Sequence, residues 1–570
     1  MSRPVPNPLD SGGAPGGRPL LSGARGVALL CAGTALFAAV VIMATIPAGA
    51  LGFPLDDAWI HMVYARAVAF EGGLHYNPGE PGRGCTSLLW PLVVAPVFRL
   101  TGSADGVVRA VQGLGAGLHA AASALAALIV GSLLGPPGRR WALLAGLTVA
   151  LCPPLLVAAL SGMEVTLTAA LLCGMVFLAL RAWPQAAAEP RARNAWEAGL
   201  LAGLVCWARP EGMAPVLLLL LLWSLASLRT RSWLRSLLPF ALPVFAALAV
   251  STTRYLLATG RLVTSTYHVK QELSLLELLP RLGTAMLALL SRVPPFWGLI
   301  AWLALLALPF ATTGDARQRG RLLLPWGTGL GFLLANLAVM PPIDPGAFYH
   351  LRYLLPPVPL LTAAVTVAVA LFARRLRAPF PFALRFAFPA LCLAGILATA
   401  VPAVRGFHQD CRNINEVQRA LGTWLGSVTR PGDWIAVTDA GAIRFFSGRA
   451  TIDLLGLNTP LPDADQPALA PPVSFLVLMP AWVQPAEGTR LHVVQACSTS
   501  PYTVTSSPAM ALQGAMVCGD EAGPAPQLVR LRGVTDVSLT CRPWSRSERE
   551  RLALTPAAST CTPEAGVWGS

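Results

Sequence analysis

The stretch VALLCAGTALFAAVVIMATIPAGA (residues 27–50), followed three residues later by PLDDAWIHMVYAR (54–66), decides how the rest of the chain is read. The first run carries no charge and exceeds the roughly 20 residues that a bilayer-crossing helix needs. Two adjacent carboxylates, Asp56 and Asp57, stand where that run leaves the membrane. The run is longer than the core of a cleavable signal, and polar sequence rich in Pro and Gly precedes it. It therefore reads as an uncleaved first span.

Working outward, similar runs recur at 107–134, 141–159, 163–180, 195–208, 213–228, 237–258, 295–311, 322–340, 354–373 and 386–404. Charged residues make up 12% of the 570, and mean hydropathy is +0.59. A soluble domain carries about 25% charged residues. The reading is a polytopic α-helical membrane protein of eleven spans: a tail over 1–26, a transmembrane domain over 27–404 with a long first loop at 51–106, and a soluble domain over 405–570. The net charge of +14 comes almost wholly from Arg, with Lys270 the single lysine. The arginines sit in short loops between apolar runs: Arg139 and Arg140; Arg181, Arg191 and Arg193; Arg229, Arg231 and Arg235; Arg317, Arg319 and Arg321; Arg374, Arg375, Arg377 and Arg385. That distribution encodes positive-inside topology rather than nucleic-acid binding. With the N-terminus inside, the clusters face the cytoplasm, and the first loop and soluble domain face outward. Residues 86–100 are apolar but short; as a full span they would invert this parity, so they read as a juxtamembrane or re-entrant helix.

In the first loop, residues 58–70 pattern as an amphipathic helix on the membrane interface, with Trp59 and Tyr64 suited to that depth. Adjacent carboxylates near lipid repel and lose hydration, which raises a pKa and poises one as a general base. The same pair also suits helix capping. Five cysteines (Cys411, Cys497, Cys518, Cys541, Cys561) lie in the soluble part, enough for two disulfides and one spare thiol in an oxidising compartment. There, 408–428 patterns as a helix, strand-like runs fall at 434–438, 474–478, 491–494 and 528–531, and the stretch from 542 reads as loosely ordered. These imply a small α/β domain over the membrane cleft, with Asp439 and Asp453 able to reach acceptor glycan but better suited to turn or capping roles.

The strings Asp56-Asp57-Ala58-Trp59-Ile60, Tyr64-Ala65-Arg66, Gly72-Gly73-Leu74, Tyr76-Asn77-Pro78-Gly79-Glu80 and Gly84-Cys85-Thr86-Ser87-Leu88-Leu89-Trp90 resemble the GT-C glycosyltransferases. They look closest to the branch of terminal arabinofuranosyltransferases and mannosyltransferase-like proteins. The resemblance continues in Ser161-Gly162-Met163-Glu164, Ala208-Arg209-Pro210-Glu211-Gly212, Thr264 to Lys270, Arg352-Tyr353-Leu354-Leu355-Pro356, Asp439 to Ile443 and Ile452 to Leu457. Trp59 stands where the branch usually has tyrosine, His61 and Met62 replace an aromatic-Arg pair, and His268 replaces Tyr or Ala.

The resemblance implies an enzyme of a bacterial inner membrane. It would move an arabinofuranose- or mannose-like sugar from a polyprenyl-phosphate donor to an extracytoplasmic glycan, lipid or protein acceptor. Asp56 would be the base of an inverting displacement, with Asp57 supporting it or binding acceptor. Cations must meet the leaving phosphate. Lys270, with Tyr267 and His268, and Arg352, with His350, are the outward candidates for substrate contact; Glu164 and Arg66 complete the set. Lys270 and Arg352 equally suit interfacial anchors, and Glu164, Arg209 and Glu211 suit structural pairing. No His/carboxylate set demands a metal; some members of the family use Mg²⁺ or Mn²⁺ at the acidic motif and others do not. A glycolipid transporter and a non-catalytic glycan-binding membrane protein are the rival readings. Transporters often show internal repeats, and none is visible here.

Overall fold

The computed structural model describes residues 21–183, 192–227, 233–262, 275–293, 316–339, 349–375, 380–462, 470–489, 491–500, 512–519, 525–534, 536–555 and 561–562. The helices are α1 (Leu21–Ala44), α2 (Asp56–Glu71), α3 (Leu89–Leu100), α4 (Ala104–Leu134), α5 (Arg139–Ala150), α6 (Pro153–Leu160), α7 (Val165–Ala182), α8 (Ala192–Ala208), α9 (Met213–Ser227), α10 (Trp233–Thr259), α11 (Leu275–Arg292), α12 (Ala316–Val339), α13 (Val358–Arg375), α14 (Phe380–Ile414), α15 (Ala420–Val428), α16 (Ala442–Ser447) and α17 (Arg546–Ala553). Among the described residues, six helical segments are long and apolar enough to cross a membrane, or seven when α5 and α6, bent by 51°, count as one broken span. Helices stand at ten of the eleven expected spans; 295–311 lies outside the described residues. Helix α11 was not expected from the apolar runs. Pro153 and Pro154 explain the α5/α6 break, since neither offers the N–H that would continue the preceding helix. Leu257 and Phe37 are 84% and 71% exposed, as lipid-facing side chains are.

The short segment at 86–100 does not cross. It forms α3, of 12 residues, packed on α2. Gln112 on the first turns of α4 donates to the carbonyl of Gly52, just past the end of α1. The membrane helix that follows α3 therefore starts on the face where α1 ends, and α2 and α3 both lie on that face.

Helix α2 differs from its expected placement. Trp59 and Tyr64 are fully buried rather than set at a lipid interface. Trp59 packs against Phe53 below and against Phe445 and Phe446 of the soluble domain above. The helix is thus clamped between the two halves of the molecule. It ends at Gly72, whose φ of +75° provides a left-handed cap that a side chain would disfavour.

Helix α14 runs out of the membrane part and, through a wider turn at Asn415–Arg419, into α15. A mixed sheet follows: β1 (Trp434–Val437), β2 (Ala450–Asp453), β3 (Val473–Leu478), β4 (Val483–Pro485), β5 (Leu491–Ser498), β6 (Leu512–Gly519), β7 (Gln527–Gly533), β8 (Val537–Cys541), β9 (Pro543–Trp544) and β10 (Cys561–Thr562). Strand β1 pairs in parallel with β2, with α16 crossing between them, and with β3. The remaining order is β10-β5-β6-β3-β8-β7-β4. Cys518 and Cys541 form a disulfide, Cys497 is also disulfide-bonded, and Cys411 is a buried free thiol. Among the described residues past 542, where loose order was expected, β9 and α17 form, and α17 opens with a capping box in which Ser545 and Glu548 satisfy each other's backbone N–H.

Candidate active site

The two aspartates of the first loop part company. Both stand in the first turn of α2, one residue apart, and successive helix positions point about 100° apart. Asp56 is 3% exposed and turns toward the soluble domain. Its Oδ2 accepts the N–H of Gly441 at 2.5 Å and its Oδ1 that of Ala442 at 2.6 Å, so it caps α16 rather than its own helix. Asp439 stands close enough for its charge to act on this carboxyl. Asp439 is 6% exposed and accepts from the side-chain amides of Gln418 (2.8 Å) and Gln513 (3.0 Å). Burial raises both carboxyls above the ordinary range, and for Asp56 the neighbouring charge of Asp439 adds to it.

Asp57 has a side chain 37% exposed, and Arg352 Nη1 donates to its Oδ2 at 2.8 Å. Arg352 is buried, and its Nη2 donates to the hydroxyl of Tyr353 at 2.8 Å. Burial opposes the Arg352 charge, but Asp57 and Tyr353 outweigh it and hold the guanidinium firmly charged. Arg352 lies 4.8 Å from the centroid of the Tyr353 ring, and Arg209 lies 5.0 Å from the same ring. Arg209 Nη1 donates to Glu164 Oε1 at 2.9 Å and its Nε donates to Glu211 Oε2 at 3.3 Å. His61 Nε2 sits 3.2 Å from Glu164 Oε2. Burial alone would raise the Glu164 carboxyl; the neighbouring His61 and the charge of Arg209 overcome it and bring it down to about 2. A continuous set of polar and charged contacts therefore runs His61–Glu164–Arg209–Tyr353–Arg352–Asp57, and it is most open at Asp57.

His350 reaches this region differently. Its Nε2 lies 2.8 Å from Asp410 Oδ2, on α14, and His350 and Leu351 both have left-handed backbone, φ +57° and +60°. Such conformations are costly for non-glycine residues and persist where surroundings impose them. They set the turn that delivers Arg352 to Asp57.

Arg66 is not in this set of contacts. Its Nη1 donates to the carbonyl of Phe445 at 3.0 Å and its guanidinium covers the Phe445 ring, which makes it a contact between α2 and the soluble domain. The neighbouring strings do the same. Tyr76 donates to the carbonyl of Ala440 (2.6 Å), Asn77 exchanges two hydrogen bonds with the backbone of Thr451 (2.9 and 3.0 Å), and Tyr64 donates to Asn458 (3.2 Å). Asp453 takes the turn role expected of it, accepting from the backbone of Leu455 and Asn458. Tyr267, His268 and Lys270 lie outside the described residues.

The residue that the sequence reading missed is Asp410; Asp439, expected in a turn or capping role, stands beside Asp56, and Arg209 is more central than its expected structural pairing implied. Their meetings are long-range: Asp439 meets Asp56, Asp410 meets His350 and Arg209 meets Glu164, each across more than 40 positions of chain, with Gln418 and Glu211 as nearer partners. For a metal at the acidic motif the fit is poor. Asp56 and Asp57 face different partners, and among the described residues no three His, Cys, Asp or Glu side chains converge as ligands.

A family model described as a domain of unknown function (DUF8728) matches residues 411–504. No curated protein matches the sequence. The structure is similar to ArnT from Cupriavidus metallidurans bound to undecaprenyl phosphate, with a TM-score of 0.53 at 14% identity, over 86% of this chain and 98% of that one. It is similar also to the same protein in the apo state, at 0.52 and 15%, over 87% and 98%. The likeness covers nearly the whole neighbour and establishes the fold: a GT-C-like helical membrane domain carrying a C-terminal α/β domain.

Proposed function

We propose that this chain is a membrane glycosyltransferase that moves a sugar from a polyprenyl-phosphate donor to a hydroxyl acceptor on the face shared by the first loop and the soluble domain. The observation that carries the reading is the half-open ion pair of Asp57 and Arg352. It offers a carboxylate and a guanidinium at one spot, backed by buried contacts that hold both in place. The ArnT neighbour, bound to undecaprenyl phosphate, supports the donor class.

The acceptor oxygen attacks the anomeric carbon while the bond from that carbon to the phosphate oxygen breaks. The electron pair leaves with the lipid phosphate, and the acceptor proton passes to a carboxylate. The family resemblance gives the base role to Asp56. In this fold both Asp56 oxygens are engaged by backbone N–H groups, so we assign proton acceptance to Asp57 and leave Asp56 to hold the helix start. Arg352 is placed to exchange Asp57 for the leaving phosphate as the carboxylate becomes protonated, which keeps the buried cation paired throughout. Backside displacement inverts the anomeric carbon. An arabinofuranose- or mannose-like donor, an extracytoplasmic glycan, lipid or protein acceptor, and a bacterial inner membrane follow from the resemblance in the first-loop strings. His350, Glu164 and, outside the described residues, Tyr267, His268 and Lys270 stay in the proposed substrate region; Arg66 leaves it.

The test is transfer from a panel of radiolabelled polyprenyl-phosphate sugars in membranes, comparing wild type with Asp57→Asn and Asp56→Asn. A general base contributes about 10²–10⁴-fold, and Asp57→Asn is expected to lose that much in kcat. Full activity in Asp57→Asn with loss in a folded Asp56→Asn would return the base role to Asp56. Movement of donor across the bilayer without transfer would make the chain a transporter.

A further inference from the structure

The contact between the halves of the molecule contains two buried carboxyls that face each other across more than 380 residues of chain. Resting on the transferase reading, we propose that Asp439 is a positioning residue: set beside Asp56 by the Gly441–Ala442 segment and sharing one proton with it, it locks the soluble domain onto the start of α2 and so fixes where Asp57 and Arg352 stand.

The geometry supports this in three ways. First, the Asp56 carboxylate receives the N–H groups of Gly441 and Ala442, two and three residues beyond Asp439, so the same short segment grips α2 from two directions. A Cβ on Gly441 would lie 2.1 Å from the Asp56 carbonyl oxygen, which measures how closely the segment seats. Second, Asp439 is held from its own domain by the amides of Gln418 and Gln513, so it does not turn away. Third, Asp57 is the next residue after Asp56 and is itself close enough to Asp439 to add to the field there. Any separation of the pair rotates the first turn of α2 and moves the base.

Two carboxylates in contact in a buried site do not both ionise. The other charged or titratable groups set against the pair, among the described residues, are Asp57 on α2, Tyr76 of the first loop and, behind Tyr76, Arg444 on α16. Burial lifts Asp439 to about 6 and Asp56 well above its ordinary value. Carboxyl groups raised on docking bind protons more tightly in the docked state, so docking is firmest at low pH and weakens as pH rises through the raised range.

The test is hydrogen exchange, read by mass spectrometry on the full chain in detergent, on the segment 439–447 from pH 5 to pH 9 after correction for intrinsic rates. Wild-type protection should fall about tenfold or more across that range, because one pK unit of linkage is a tenfold change in an equilibrium constant. Asp439→Asn keeps a polar neighbour for Asp56 but removes a charge, and its protection should stay within about twofold. Asp56→Asn should flatten the profile in the same way, while Asp57→Asn should keep the fall. Flat wild-type protection, or an undiminished fall in both Asp439→Asn and Asp56→Asn, would overturn the proposal. In the transfer assay Asp439→Asn should move the alkaline limb of kcat upward and leave KM unchanged. The exchange readout needs no donor: a pH-sensitive interface in a chain that transfers nothing sinks the transferase reading alone, and a pH-blind interface in an active enzyme sinks this one.

Discussion

Asp56 and Asp57 are neighbours in sequence with opposite surroundings. One is enclosed by backbone donors and a second carboxyl; the other is half open and paired with a guanidinium. The acidic pair itself was legible from residue types, and so was its position at the membrane exit. Its division of labour was not, because that depends on Asp439 and Arg352, which arrive from far along the chain. The same holds for Glu164 and Arg209: their strings were visible, but their meeting at 2.9 Å was not. Both are buried, so removing Glu164 leaves Arg209 with only the longer carboxylate contacts to Glu211. Glu164→Ala is expected to destabilise by about 3–5 kcal/mol, with partial recovery in Glu164→Ala/Arg209→Met, measured as thermal unfolding in detergent. Because Glu164 is held down at about 2, its contribution is present above the ordinary carboxylate range and is lost as pH falls toward 2. No recovery in the double variant would show that the two do not act as a pair.

At the level of elements, apolar periodicity located helices at ten of the eleven expected spans. Short length and the parity of the arginine loops argued against a crossing at 86–100, and α3 stays on one face. Two placements were not legible. Helix α11 carries charges among its apolar residues and so fell below the pattern of a span. Helix α2 looked like an interfacial helix because a helix buried between two bodies shows the same aromatic residues as one lying on lipid; only the soluble domain above it distinguishes the cases. That packing leaves no room at Gly441. Gly441→Ala is expected to cost about 1–3 kcal/mol, as overpacking does, and to lower kcat by displacing α2. Wild-type unfolding and transfer in this variant would mean that the segment seats loosely.

Over the whole molecule, the faces are marked by charge. Arg139 lies beside Gly23 near the start of α1, while Asp56 and Asp57 follow the end of α1. Arg181 ends α7, whose start is beside Glu164, and Gly320, between Arg319 and Arg321, packs against Trp183. These arginines share the side remote from the acidic pair, the arrangement that the loop composition predicted. We therefore expect a membrane-impermeant maleimide on intact cells to label Gly102→Cys and to spare Arg140→Cys; the reverse pattern would place the reaction in the cytoplasm and refute the proposed compartment. The two-part organisation was legible from where polarity returns after residue 404. The mutual grip of the parts was not, since it is written in single hydrogen bonds from Tyr64, Arg66, Tyr76 and Asn77.

Those four side chains belong to the strings that make the chain look like a known family, and each of them is occupied with joining membrane and soluble parts. The portion of the first loop that follows the acidic pair therefore serves as a hinge-plate. A change of cargo can be accommodated around the open side of Asp57 without disturbing that joint.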